Sequence, residues 1–177
     1  VIGECTSAGG EIGRPLEVQV SSIARDGREL EAMVATYRAY NSAHHDEHMR
    51  AFPGVREALE FWRERGCRLG VVTSKARPGA LRALAFTALA EFFEVIVAAG
   101  DCACPKPAPD PVIAALARLG VPAHESYTVG DALPDLAAGR AAGTRTAAVL
   151  WGACDHATLS AAVPDRILSS PSELSSL

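Results

Sequence analysis

The sequence predicts an α/β fold, a doubly wound parallel sheet preceded by a small helical unit, and three observations carry that prediction. After Phe52, short apolar runs alternate with segments of helical period. Before Phe52, apolar residues recur only at helical spacing, as at Leu30, Met33, Val34, Tyr37 and Tyr40. The apolar runs are followed in turn by Thr73-Ser74-Lys75, by Lys106 and by Gly130-Asp131, which places polar groups where open α/β sheets hold ligands.

Taken in order, residues 1–14 contain Gly3, Gly9, Gly10 and Gly13 and read as a loop or tail. Pro15 suits the first turn of a helix running to about Arg25, with Leu16, Val18, Val20 and Ile23 as its apolar positions. A second helix follows the Asp26-Gly27 turn. Phe52-Pro53-Gly54 is the expected boundary between a helical domain, 1–52, and a sheet domain, 53–177. Val55, Leu59 and Trp62 then form the stripe of a helix that stops at Gly66. Cys67–Thr73 reads as a strand buried on both faces. There follow a helix near Gly79–Ala90, a strand Val95–Ala98, a helix Asp110–Leu119 and a strand Tyr127–Val129. A helix Pro134–Ala142 and a strand Thr144–Leu150 complete the alternation, and from about Asp155 the tail reads as a short helix, an apolar stub at Arg166-Ile167-Leu168 and a final turn.

With 177 residues, 49% hydrophobic and 21% charged, the chain has the composition of a globular protein with one full core. A net charge of −4 gives no reason to expect nucleic acid or an anionic membrane as partner, and no apolar run approaches the roughly 20 residues that span a bilayer. No secretion signal is visible at the start. Five scattered cysteines, Cys5, Cys67, Cys102, Cys104 and Cys154, argue for reduced thiols and a cytoplasmic location. His44, His45 and His48 invite a metal reading, but without a third ligand at a suitable spacing they read as a solvated helix end.

The residues at the strand ends suit a phosphoryl group. A hydroxyl (Thr73) and backbone N–H groups at a strand-to-helix turn (Ser74, Lys75) cradle phosphate oxygens. Lys106, between Pro105 and Pro107 in a conformationally restricted loop, supplies an ammonium. Asp131 and Asp135 make a half-site for a hard cation such as Mg²⁺, the remaining ligands coming from other loops and from substrate oxygens.

Together, GVVTSK (70–75), KPAPDP (106–111) and VGDALPDLAAGRAAG (129–143) resemble the second, third and fourth motifs of the haloacid dehalogenase superfamily of phosphatases. NSAHHDEHMRAFPGV (41–55) resembles the cap–core junction of its phosphoglycolate phosphatase and pyrophosphatase branch. The resemblance implies a Rossmann-like core, a helical cap that closes over the site, and a small phosphorylated metabolite or pyrophosphate as substrate. It also implies that Thr73 and Ser74 bind the transferring phosphoryl group, that Lys106 balances its charge, that Asp131 supported by Asp135 holds Mg²⁺, and that Arg14 reaches the substrate from the cap. Ala132 stands where relatives often have serine or asparagine.

The superfamily's first motif, DxDG at the end of an apolar strand, is absent: the sequence contains no DxD. In the resembling fold that strand lies between those ending at Thr73 and Asp131. Leaving it out would unpair about five or more buried backbone groups at roughly 1–3 kcal/mol each, on the order of a domain's whole stability of about 5–15 kcal/mol. The expectation is therefore that roughly thirty residues of the natural protein precede Val1, that the complete protein is a Mg²⁺-dependent phosphatase acting through an aspartyl-phosphate, and that this chain alone is inactive. The competing readings are a catalytically silent phosphate-binding or regulatory domain and a sugar-phosphate mutase of the same superfamily.

Overall fold

The computed structural model describes residues 16–177, apart from the side chains at positions 42 and 45–48, so the expectation for Arg14 lies outside the described residues. The helical unit is a pair, α1 (Leu16–Ser21) and α2 (Gly27–His48), packed on each other. The first helix stops four residues short of the expected Arg25. Arg25 and Asp26 are instead used to start α2: Asp26 Oδ1 accepts from Glu29 N at 2.8 Å, and the Glu29 carboxylate accepts from Arg25 N at 2.6 Å. This reciprocal cap holds both residues outside a helix.

After the breaker at Pro53-Gly54 come α3 (Val55–Glu64), β1 (Gly70–Ala76), α4 (Arg77–Phe86), β2 (Val95–Ala99) and α5 (Asp110–Leu119). β3 (Tyr127–Gly130), α6 (Leu133–Ala141), β4 (Arg145–Val149), α7 (His156–Ala161) and β5 (Arg166–Leu168) follow, closed by a 3-10 turn at Pro171–Ser176. All strand pairings are parallel: β1 with β2, and β3 with β4 with β5. Helices cover both faces, as alternation along the strands shows. Val71 packs with Val55 and Leu84 from α3 and α4, whereas a Cβ on neighbouring Gly70 would meet Leu119 of α5 at 3.2 Å. On β4, Ala148 packs with Leu136 and Leu159 from α6 and α7, while Ala147 and Val149 face Leu174 and Leu177. The predicted doubly wound α/β class is the observed one.

Three local expectations are corrected. Residue 67 lies in the turn that closes α3, its N–H donating to Trp62 O at 3.0 Å, and β1 starts only at Gly70 and continues past Thr73 to Ala76 through a register shift between Val72 and Ala76. β1 is half-buried rather than buried on both faces, because among the described residues β1 and β3 do not pair and each keeps an open edge. The helix expected to reach Ala90 ends at Phe86, where the Thr87 hydroxyl donates to Ala83 O at 2.8 Å and Ala88 turns left-handed at φ 53°.

The two halves of the sheet are tied above their open edges. Trp62 Nε1 on α3 donates to Leu174 O at 2.8 Å, joining the β1–β2 half to the turn that covers β3, β4 and β5. Within the second half, Asp165 Oδ2 accepts from both Thr146 N at 2.7 Å and Thr146 Oγ1 at 2.9 Å. Those two donors hold the Asp165 carboxyl below its ordinary range.

One residue is held against its own preference. Val163 follows α7 with φ 51° and 74% exposure, and its carbonyl accepts from Arg140 Nη2 at 2.5 Å. A β-branched residue in the left-handed region costs about 1–2 kcal/mol that glycine avoids. Val163→Gly is therefore expected to stabilise the protein by about 1 kcal/mol, seen as a raised urea midpoint at unchanged slope.

Candidate functional site

β1, the loop after β2 and the start of α6 meet at one side chain, Lys106. Its ammonium donates to Asp135 Oδ1 at 2.5 Å and to Val72 O of β1 at 3.3 Å. Lys106 is 9% exposed and Asp135 14%. A buried ammonium needs its charge matched and its hydrogens accepted, and the carboxylate and carbonyl do both. Lys106 thus spans from the first half of the sheet to the second, beside their two open edges.

Thr73 follows Val72 in the register shift of β1, and its hydroxyl accepts from Lys75 N at 3.1 Å. That contact lies within the register shift, in the second half of β1 that also carries Ser74 and Lys75. The structure thus brings Lys106 to Val72 of β1 and to Asp135, beside Asp131 at the carboxyl end of β3, with Thr73, Ser74 and Lys75 following Val72 along β1.

Asp131 follows the last residue of β3, and Asp135 is in the first turn of α6. The sequence between them packs tightly: Ala132 is 1% exposed and its carbonyl accepts from Asp135 N at 3.1 Å. Gly130 is required sterically, since a Cβ there would lie 2.3 Å from Asp135 Cβ. Asp131 Oδ2 accepts from Ala153 N at 2.9 Å. Burial, and next the neighbouring Asp135 carboxylate, push the Asp131 carboxyl above its ordinary range, against the pull of the Ala153 N–H. Lys106 matches the charge of Asp135, so Asp131 is the carboxylate of this pair without a cationic partner among the contacts described.

The contribution of the loop after β4, Trp151–Cys154, was not foreseen from sequence; its only signal was a glycine where no turn type demanded one. Cys154 N donates to Asp131 O at 3.2 Å, and burial pushes the Cys154 thiol above its usual range, which keeps it protonated and a poor nucleophile. The four described cysteines are free thiols. His44 Nδ1 lies 3.0 Å from Tyr40 O and its ring stacks on Tyr40 at 4.3 Å. Among the described residues no group of three or more His, Cys, Asp or Glu could hold a metal ion, and no helix is long and apolar enough to cross a membrane.

Comparison with known proteins places these residues in context. The model of a family described as haloacid dehalogenase-like hydrolase matches residues 11–149. Pyrophosphatase PpaX of Bacillus velezensis is 39% identical over 163 residues, which are 92% of this chain and 74% of that protein. A hydrolase from Pseudomonas syringae superposes with a TM-score of 0.82 at 25% identity, over 93% of this chain and 77% of that one. A haloacid dehalogenase-like family hydrolase from Streptococcus pneumoniae shares the fold with a TM-score of 0.79 at 23% identity, over 96% of this chain and 81% of its own.

Two outcomes follow from the geometry. Lys106→Met leaves the Asp135 carboxylate buried without its partner and is expected to cost about 3 kcal/mol in urea unfolding, most of it recovered when Asp135→Asn is added. Asp131 has its folded pKa above the unfolded value, so its contribution is fully present below the unfolded pKa and is lost as pH rises through the folded one. Asp131→Asn should therefore raise the melting temperature in chelator at pH 7, with the gain fading as the pH drops toward about 4.

Proposed function

The chain belongs to the haloacid dehalogenase-like hydrolase family, and we propose that it is the greater part of a Mg²⁺-dependent phosphatase acting on small phosphoesters or pyrophosphate. The observation that carries this reading is the meeting of Lys106 with Asp135 and the Val72 carbonyl of β1, beside the Asp131 carboxylate. Phosphoryl transfer needs mainly positioning and charge neutralisation, and this is a set of groups suited to both. The name of the 39% identical relative makes pyrophosphate the first substrate to try.

In this reading the Thr73 hydroxyl, with Ser74 and Lys75 beside it in the second half of β1, holds the phosphoryl oxygens. Lys106 balances their charge, and Asp135 keeps the ammonium aimed. The residues fit Mg²⁺: both carboxylates are hard oxygen donors, and the crowding that raises the Asp131 pKa is what a divalent cation relieves. Asp131, supported by Asp135, would hold the cation, with substrate oxygens and water among the other ligands. When bound, Mg²⁺ supplies electrostatic stabilisation of the charge developing on the phosphoryl oxygens. Neither acid serves as nucleophile, since Asp135 is tied to Lys106 and Asp131 to the backbone of Ala153. The attacking carboxylate belongs on an extended segment between the open edges of β1 and β3, bearing a DxD that this sequence lacks. The α1–α2 pair forms part of the cap that closes over the site and excludes water.

The 177-residue chain is expected to release no phosphate from p-nitrophenyl phosphate, pyrophosphate or phosphoglycolate. Fusing an apolar strand ending in Asp-x-Asp-Gly, with its connection, ahead of Val1 should restore a hydrolysis that chelator abolishes. Turnover by the unfused chain would refute the nucleophile assignment, and chelator-insensitive turnover by the fusion would refute the role of Asp131. Phosphate binding without turnover by the fusion would favour the silent regulatory domain.

A further inference from the structure

We propose that the loop after β4 is the positioning element of the cation site: Gly152 provides the space and Ala153 the hydrogen bond that hold the Asp131 carboxylate in place. The inference rests on the metal reading of Asp131 given above and adds residues to it that no motif of the sequence includes. A Cβ on Gly152 would lie 2.2 Å from both Asp131 Cβ and Asp131 Oδ2, and 2.5 Å from Cγ. The φ of Gly152 is outside the left-handed region, so φ does not call for glycine there, and the three atoms nearest to an added Cβ all belong to the Asp131 side chain. Because the clash includes Asp131 Cβ, which no change of rotamer moves, any side chain at 152 forces the loop and the strand end apart.

The same loop grips Asp131 by two hydrogen bonds. Ala153 N–H donates to Asp131 Oδ2 at 2.9 Å across a separation of 22 residues, and Cys154 N–H donates to the Asp131 carbonyl at 3.2 Å. One carboxylate oxygen is thereby committed to the loop, which sets the direction in which the other faces. A carboxylate that must accept a cation while buried beside a second carboxylate gains from being held in advance, since the alternative is to order it at the moment of binding. Displacing the loop removes the N–H and frees the carboxylate at once.

The test is a Mn²⁺ titration of the full chain followed by amide NMR, Mn²⁺ standing in for Mg²⁺ at an oxygen site. Wild type should lose the Asp131 and Ala132 amide signals first. Gly152→Ala, and Ala153→Pro, which removes the donor without adding a Cβ at 152, should need about tenfold more Mn²⁺ for the same broadening, whereas Ala153→Gly, which keeps the N–H, should match wild type. Metal-free urea melts separate a positioning role from a structural one: a role in stability alone would lower the midpoint and leave the Mn²⁺ dependence unmoved. If wild type broadens at Asp131 and both displaced variants broaden at the same Mn²⁺ concentration, the loop has no such role. If wild type shows no broadening there, the metal reading itself fails.

Discussion

A single ammonium sets the geometry of this molecule. Lys106 is buried against Asp135 and the Val72 carbonyl, and neither partner lies on its own stretch of chain. A charge in that position is tolerable only while both acceptors stay within reach, so Val72 of β1 and the start of α6 are held at a set separation. The two halves of the sheet, unpaired with each other among the described residues, are thus tied at the edge where the candidate site lies, and the Trp62–Leu174 hydrogen bond joins them again elsewhere.

The acidic side of the site follows a complementary logic. Asp131 and Asp135 are brought together by the tight turn from β3 into α6, and each sits where a glycine leaves room: Gly152 beside Asp131 and Gly130 beside Asp135. Lysine satisfies one of the two carboxylates and backbone N–H groups partly satisfy the other. Burial and repulsion leave Asp131 short of positive charge, and that imbalance is stored by the fold before any ligand arrives. Sites that neutralise phosphoryl charge share this preorganisation, because the cost of assembling like charges is met during folding and not during reaction.

Much of this was legible from residues alone, for identifiable reasons. α5 coincides with its expected span, β2 and β3 differ by one residue at one end and α6 by one residue at each end, because their apolar periods and the glycine and proline boundaries are local signals. The misplacement of β1 has an equally physical cause: its register shift is a relation to β2, and nothing within residues 67–76 encodes it. α1 ended early because Asp26 and Glu29 satisfied one helix start at the expense of the preceding end. Residue type and spacing mark Thr73, Lys106, Asp131 and Asp135 as candidates, but the pairing of Lys106 with Asp135 spans 29 residues and has no local mark. The same holds for the grip of Asp165 on Thr146.

By itself the sequence determined the class of fold, the order of its strands and helices and the candidate groups for a phosphate site, because periodicity and side-chain chemistry are properties of short stretches. Tertiary structure alone decided which of those groups are partners: that Lys106 is matched by Asp135, that Asp131 is left in want of charge, and that a glycine in the loop after β4 makes room for it. Charge balance and steric exclusion act through space over a few ångströms, and only the folded chain brings such distant positions that close.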